Sequence, residues 1–166
     1  QPSYIPDKAQ RELRELVGYR KSLVRDKTAE LNRLQKMLEG ANIKLSGTVA
    51  DINGKSARNI LDIVQSGEEI TVARLGEMRE KKLVAANLKA TDAQLADDLN
   101  GVMTPLQRKM MKVLRSHINE LDQHITELDN EIDRNMKDDE KKACAAIQDI
   151  TGIAEASARA IISVIG

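Results

Sequence analysis

The side chains able to do chemistry are few and poorly placed for it. The only histidines are His117 and His124. Seven residues of helix set them about 10.5 Å apart along the axis, too far to share one metal ion. Rim positions on a paired helix account for them better. The acid runs Asp97-Asp98 and Asp138-Asp139-Glu140 place carboxylates on adjacent residues, which on a helix do not face one another. Cys144 is the single cysteine and sits among alanines with no neighbouring histidine. That suits a small buried side chain rather than a nucleophile, and it excludes a disulfide framework and fits a reducing compartment. Ser46-Gly47 and Ser66-Gly67 have no base nearby, and no phosphate-cradling glycine loop or metal-ligand spacing occurs. The expectation is a chain with no catalytic residue, no metal site and no cofactor of its own.

Cationic charge is the better lead. Lys8, Arg11, Arg14, Arg20, Lys21, Arg25, Lys27, Arg33 and Lys36 decorate one stretch, with Lys44 just beyond. The chain as a whole is neutral, with 26 Lys+Arg against 26 Asp+Glu. Residues 1–58 nevertheless hold twelve cations and seven acids, while residues 91–136 hold five and nine. Such a gradient implies an anionic partner for the front or pairing of the front with the acidic part. Contacts to a phosphate backbone add affinity without reading sequence. The candidates for them are Arg14, Arg20, Arg25, Lys27, Arg33 and Lys36, with Asn32 among them. Base stacking is disfavoured, because Tyr4 and Tyr19 are the only aromatic residues. The rival reading is a solvated face offset by Glu12, Glu15, Asp26, Glu30 and Glu39 and by the acids of a later helix.

A chain with 31% charged and 1% aromatic residues points to long helices joined by Leu, Ile, Val and Met seams. The first helix is expected to open at Pro6-Asp7 and stop at Gly40, about 50 Å of rod. Its inward positions step as Leu13, Val17, Arg20, Val24, Lys27, Leu31, Leu34 and Leu38, so two cations interrupt the seam and call for a charged partner. Residues 41–103 read as short helices capped at Ser56, Thr71 and Thr91-Asp92. The second of these carries Val72, Leu75, Met78, Leu83 and Leu88 on its face. Thr104 and Gln107 make a capping box around Pro105. From there Met111, Ile118, Ile125 and Ile132 take heptad position a, and Leu114, Leu121, Leu128 and Asn135 take position d. Isoleucine at a with leucine at d favours a parallel pair of chains. In that register His117 would face Asp122 of a second copy, and His124 would face Asp129. An antiparallel pairing with the basic first helix of the same chain is the alternative. After Asp138, the segment Ile150-Thr151-Gly152-Ile153-Ala154 between two short helices has the layout of a helix-hairpin-helix. Its backbone amides at Gly152, Ile153 and Ala154 could hold a phosphate. It stops at Gly166, as though cut short.

Several blocks together resemble a known family. The stretch LRELVGYRKSLVRDKTAELNRLQKMLEGANIKL, Leu13 to Leu45, is similar to the middle of insertion-sequence transposases of the one-hundred-ten type. The matching features are Arg14 with Tyr19 and Arg20, then Asn32-Arg33-Leu34, then the ending from Leu38 to Leu45. The resemblance continues through Gly54-Lys55-Ser56, Ile60-Leu61 and the leucine-rich helix around His117-Ile118. It ends in Ile147 to Gly166, which resembles the start of the family's C-terminal domain, with Thr151 for the usual Pro and Ala154 for the usual second Gly. The resemblance implies a parent enzyme, an RNA-guided recombinase acting in DNA transposition. That parent would use acidic ligands for a divalent metal such as Mg2+ and a nucleophilic serine, none of which matches a residue here. It also implies a bacterial, cytoplasmic, nucleoid-associated setting.

The expectation is therefore an all-α, elongated helical connector with long coiled-coil helices and a truncated helix-hairpin-helix. Its segments would be a basic helix over 1–40, a short-helix bundle over 41–103, a coiled-coil helix over 104–136 and the start of a further domain over 137–166. Its partners would be DNA, a guide RNA and a second copy, with higher oligomers in the parent. No run of about 18 apolar residues exists to span a membrane, and Gln1 has no signal-like segment behind it. The chain reads as a piece of something longer. The rival function is a structural dimerisation module with no nucleic-acid contact.

Overall fold

A computed structural model describes residues 7–136 together with Glu140, Lys141, Arg159 and Ile162. Among these residues the secondary structure is all helical: α1 (Lys8–Gly40), α2 (Lys55–Ser66), α3 (Val72–Glu80), α4 (Asp92–Leu99) and α5 (Pro105–Asn135). None of these helices is long and apolar enough to cross a membrane. The chain divides into two compact units, Gln1–Lys27 with Glu120–Gly166, and Thr28–Asn119. This division differs from the one expected at residues 40, 103 and 136. Side-chain burial gathers residues irrespective of where a helix ends, so each unit takes part of α1 and part of α5.

The Thr28–Asn119 unit is built on a core in which Leu38, Ile43, Leu45, Ile60, Leu61 and Leu75 are at most 2% exposed. The turns around that core are tightly specified. α1 ends at Gly40, where the stop is expected, and Asn42 beyond it takes the left-handed conformation (φ 59). Asn42 N–H donates to the Glu39 carbonyl at 3.0 Å, and Ile43 N–H to the Leu38 carbonyl at 2.8 Å. That is the Schellman pattern, and it turns Ile43 back onto Leu38 in the core. α3 ends the same way, with Lys82 at φ 55 and Leu83 N–H on the Met78 carbonyl at 2.8 Å. The expected longer face is thereby cut short, and Leu83 and Leu88 pack from the following segment instead.

Helix starts follow local side-chain capping at four of the five helices, Asp7 of α1 among them. The Thr71 hydroxyl accepts from Arg74 N–H at 3.1 Å. Thr91 with Gln94 forms a complete capping box. Thr104 with Gln107 forms another, at 2.9 and 3.1 Å. Ser56 is the exception. α2 starts at Lys55 behind Gly54, with no side-chain cap, and the Ser56 hydroxyl accepts from Ala85 N–H at 2.9 Å. The connection after α1 is also tied to the last turn of α4: Lys44 N–H donates to the Asp98 carbonyl at 2.9 Å. Beside them Gly101 lies so close that a Cβ there would come 2.1 Å from the Ala41 carbonyl oxygen.

In the other unit, α1 and α5 pack antiparallel. Asp7 caps α1 by accepting from Gln10 N–H at 2.7 Å. Leu23 packs with Leu121 and Ile125, with Leu128 partly buried beside them. Leu13 packs with Ile132, Met136 and Ile162. Arg20 pairs with Asp129 and Lys27 with Asp122, so seven residues forward on α1 match seven backward on α5. The charged partner expected near the middle of α1 is thus α5. Val24, placed inward by the strict heptad, is 37% exposed, and Leu23 takes the buried position. A straight helix of 3.6 residues per turn drifts against a 3.5 repeat.

These contacts correct the preferred parallel seam. Leu121, Ile125 and Ile132 are covered by α1 of the same chain, and Met111, Leu114 and Ile118 belong to the core that contains Leu34 and Leu38. A parallel two-chain pairing through them would first have to strip α1 away. The expected cross-chain histidine pairs are likewise replaced. His117 Nδ1 lies 3.3 Å from Glu30 Oε2, and His124 Nδ1 lies 3.8 Å from Glu127 Oε2.

Candidate nucleic-acid interface

The cations of α1 sort into two sets once α5 is in place. Arg20 and Lys27 sit on the packed side, each only about a quarter exposed, with Asp129 and Asp122 as partners. A phosphate would have to displace those carboxylates, so both leave the set of expected backbone contacts. Arg33 is 67% exposed along its side chain but pairs with Glu30 one turn back. The remaining candidates lie on the outer side. Arg14 is half-buried, whereas Arg25, Asn32 and Lys36 are exposed.

In the first unit the outer side of α1 forms a ridge of Arg14, Gly18, Lys21 and Arg25, in steps of four, three and four. That spacing keeps residues on one helical face, turned away from the face that buries Leu13 and Leu23. Arg14 and Arg25 are eleven residues apart, about 16 Å along the axis. No acid interrupts the ridge, since Glu15 and Asp26 fall on its flank. Gly18 is exposed, and a Cβ there would meet nothing within 4 Å, so a ligand backbone can come down onto the helix between the cations. In the second unit Asn32 and Lys36 repeat the step of four and are both exposed.

Lys21 is the residue that the choice of contacts overlooked. Its signal was available as the step of seven from Arg14 and four to Arg25. Other cations serve inside the protein. Arg115 reaches from α5 to α2, donating to Asp62 Oδ1 at 2.8 Å, Gln65 Oε1 at 2.7 Å and the Arg58 carbonyl at 3.1 Å. Arg79 joins α3 to Asp92 of α4. Arg159, 6% exposed, pairs with Asp129 and Asp133. Nothing in the sequence marks these three as clamps, because each role depends on which helices become neighbours.

Gly152, Ile153 and Ala154, expected to hold a phosphate, lie outside the described residues, as does Cys144. Among the described residues no group of three or more His, Cys, Asp or Glu side chains could hold a metal ion. Comparison of the chain with protein-family models, curated proteins and solved structures finds no match.

Proposed function

We propose that the protein binds the phosphate backbone of a nucleic acid along the outer face of α1, as a non-catalytic helical part of a DNA transposase or recombinase. The observation that carries this reading is the pair of exposed cations Lys21 and Arg25 on one face of α1, beside the open surface at Gly18. Cations that served only to hold the fold would sit opposite carboxylates, as Arg20 and Lys27 do. Lys21 and Arg25 lie exposed on a different face of the helix. The resemblance described above supplies the setting: DNA or a guide RNA as ligand, in a parent enzyme whose catalytic residues and metal lie elsewhere. With one exposed tyrosine on α1, the contacts would be electrostatic and indifferent to sequence.

The second reading is a helical module that contacts no nucleic acid, and the Arg20 and Lys27 ion pairs favour it. The two separate in a salt titration with a short DNA duplex and an RNA hairpin as probes. Lys21→Glu with Arg25→Glu should weaken binding and flatten the slope of log affinity against log salt by about 0.9 per lost contact. Arg20→Gln should leave that slope in place. An affinity unmoved by the Lys21 and Arg25 reversals would leave the structural module as the better account.

A further inference from the structure

The first half of α5 carries an apolar face that nothing among the described residues covers. Leu106, Met110 and Val113 are 68, 53 and 66% exposed, and Val102, in the segment leading into the helix, is 82% exposed. Steps of four and three put the three helical residues on one side, away from the face that buries Met111, Leu114 and Ile118. A row of four exposed large aliphatics is unusual on a surface this rich in charge, and such patches mark contact sites.

The charges around the row are unevenly placed. Lys109 and Lys112 lie along one flank of it and are exposed. The same flank leads round to the helix start, where a hollow is lined by Glu68, Glu69, Val102 and Arg108. Glu68 and Glu69 are exposed there, and Arg108 is occupied with the Met103 carbonyl at 3.0 Å. The face therefore has an apolar middle, an acidic end at the start of α5 and a basic end two turns on. Between Gly101 and Asn119 there is no acid in the sequence to offset the lysines.

We infer that this face pairs with the same face of a second copy, with the two α5 segments antiparallel about a two-fold axis near the middle of the row. A two-fold contact sets a patch against itself end for end. Residue 112 of one copy then lies across from about residue 104 of the other, so Lys112 and Lys109 meet Glu68 and Glu69 twice over. A parallel arrangement would align like ends and forgo those pairs. The buried seam of α5 takes no part, and the inference does not depend on nucleic-acid binding.

The test is sedimentation velocity on the full chain, from micromolar concentration to about 1 mM, the weak end of specific association. The expected result is a reversible monomer–dimer equilibrium. Leu106→Asp with Met110→Asp should leave only monomer with unchanged circular dichroism, because both side chains already face water. Lys109→Glu with Lys112→Glu should weaken the dimer about tenfold or more, and adding Glu68→Lys with Glu69→Lys should restore it. Monomer throughout, a dimer that survives Leu106→Asp with Met110→Asp, or no restoration by the four-fold swap would each overturn the inference. So would a wild-type chain that stays monomeric yet binds anionic vesicles through Leu106 and Met110, since the face would then belong to a lipid surface.

Discussion

Asn42 and Lys82 hold the same left-handed backbone at the ends of α1 and α3, and only one is suited to it. Asparagine tolerates that conformation, whereas a lysine there carries a steric cost of about 1–2 kcal/mol. Glycine removes the cost but loosens the unfolded chain, so Lys82→Gly should raise stability by about 0.5–1 kcal/mol, read from the urea midpoint. Gly101 is the opposite case. A methyl group there meets the Ala41 carbonyl oxygen and the Ile43 side chain, backbone and core that cannot move aside. Gly101→Ala should cost about 1–3 kcal/mol in the same measurement. Neither effect is legible in the sequence, where Lys82 is one of four consecutive charged residues and Gly101 reads as an ordinary helix stop.

At the scale of the element, the packing of α5 on α1 decides what substitutions in the ladder do. Leu121 and Ile125 are 5 and 9% exposed against Leu23. Leu121→Asp should therefore cost about 3–5 kcal/mol through a buried charge, as a fall in thermal midpoint rather than a change of mass. Lys27 and Asp122 are each 27% exposed, so their pair contributes about 1 kcal/mol or less. Lys27→Glu should lose that, and Asp122→Lys added to it should recover most, as a double-mutant cycle would read. The existence of both long helices was plain from their repeats, and the starts at Thr71, Thr91 and Thr104 from local hydroxyl chemistry. The start at Ser56 was not, because its hydroxyl is taken by an amide 29 residues further on. The heptad was equally silent on which chain covers it. The charges were not silent: Arg20 and Lys27, cations at inward positions seven apart, match the spacing of Asp122 and Asp129.

At the scale of the molecule, the balance of 26 cations and 26 acids conceals a division of labour. One set of cations is spent on the chain's own acids, and another is left facing outward. Composition could show the surplus over residues 1–58 but not which members were already committed. The unit Thr28–Asn119 holds the largest core, with all of α2, α3 and α4. A chain of residues 28–119 should accordingly keep its helical circular dichroism and unfold cooperatively on its own. Gradual, non-cooperative melting would show that it needs the rest of α1 and α5. The tie between Lys44 and Asp98 extends the point to time. Lys44 lies in an irregular stretch between helices, where amides ordinarily trade their protons for deuterium within seconds. Held by a carbonyl more than fifty positions away in the chain, its proton should leave only when the whole Thr28–Asn119 unit opens, at the pace of Leu61 or Leu95.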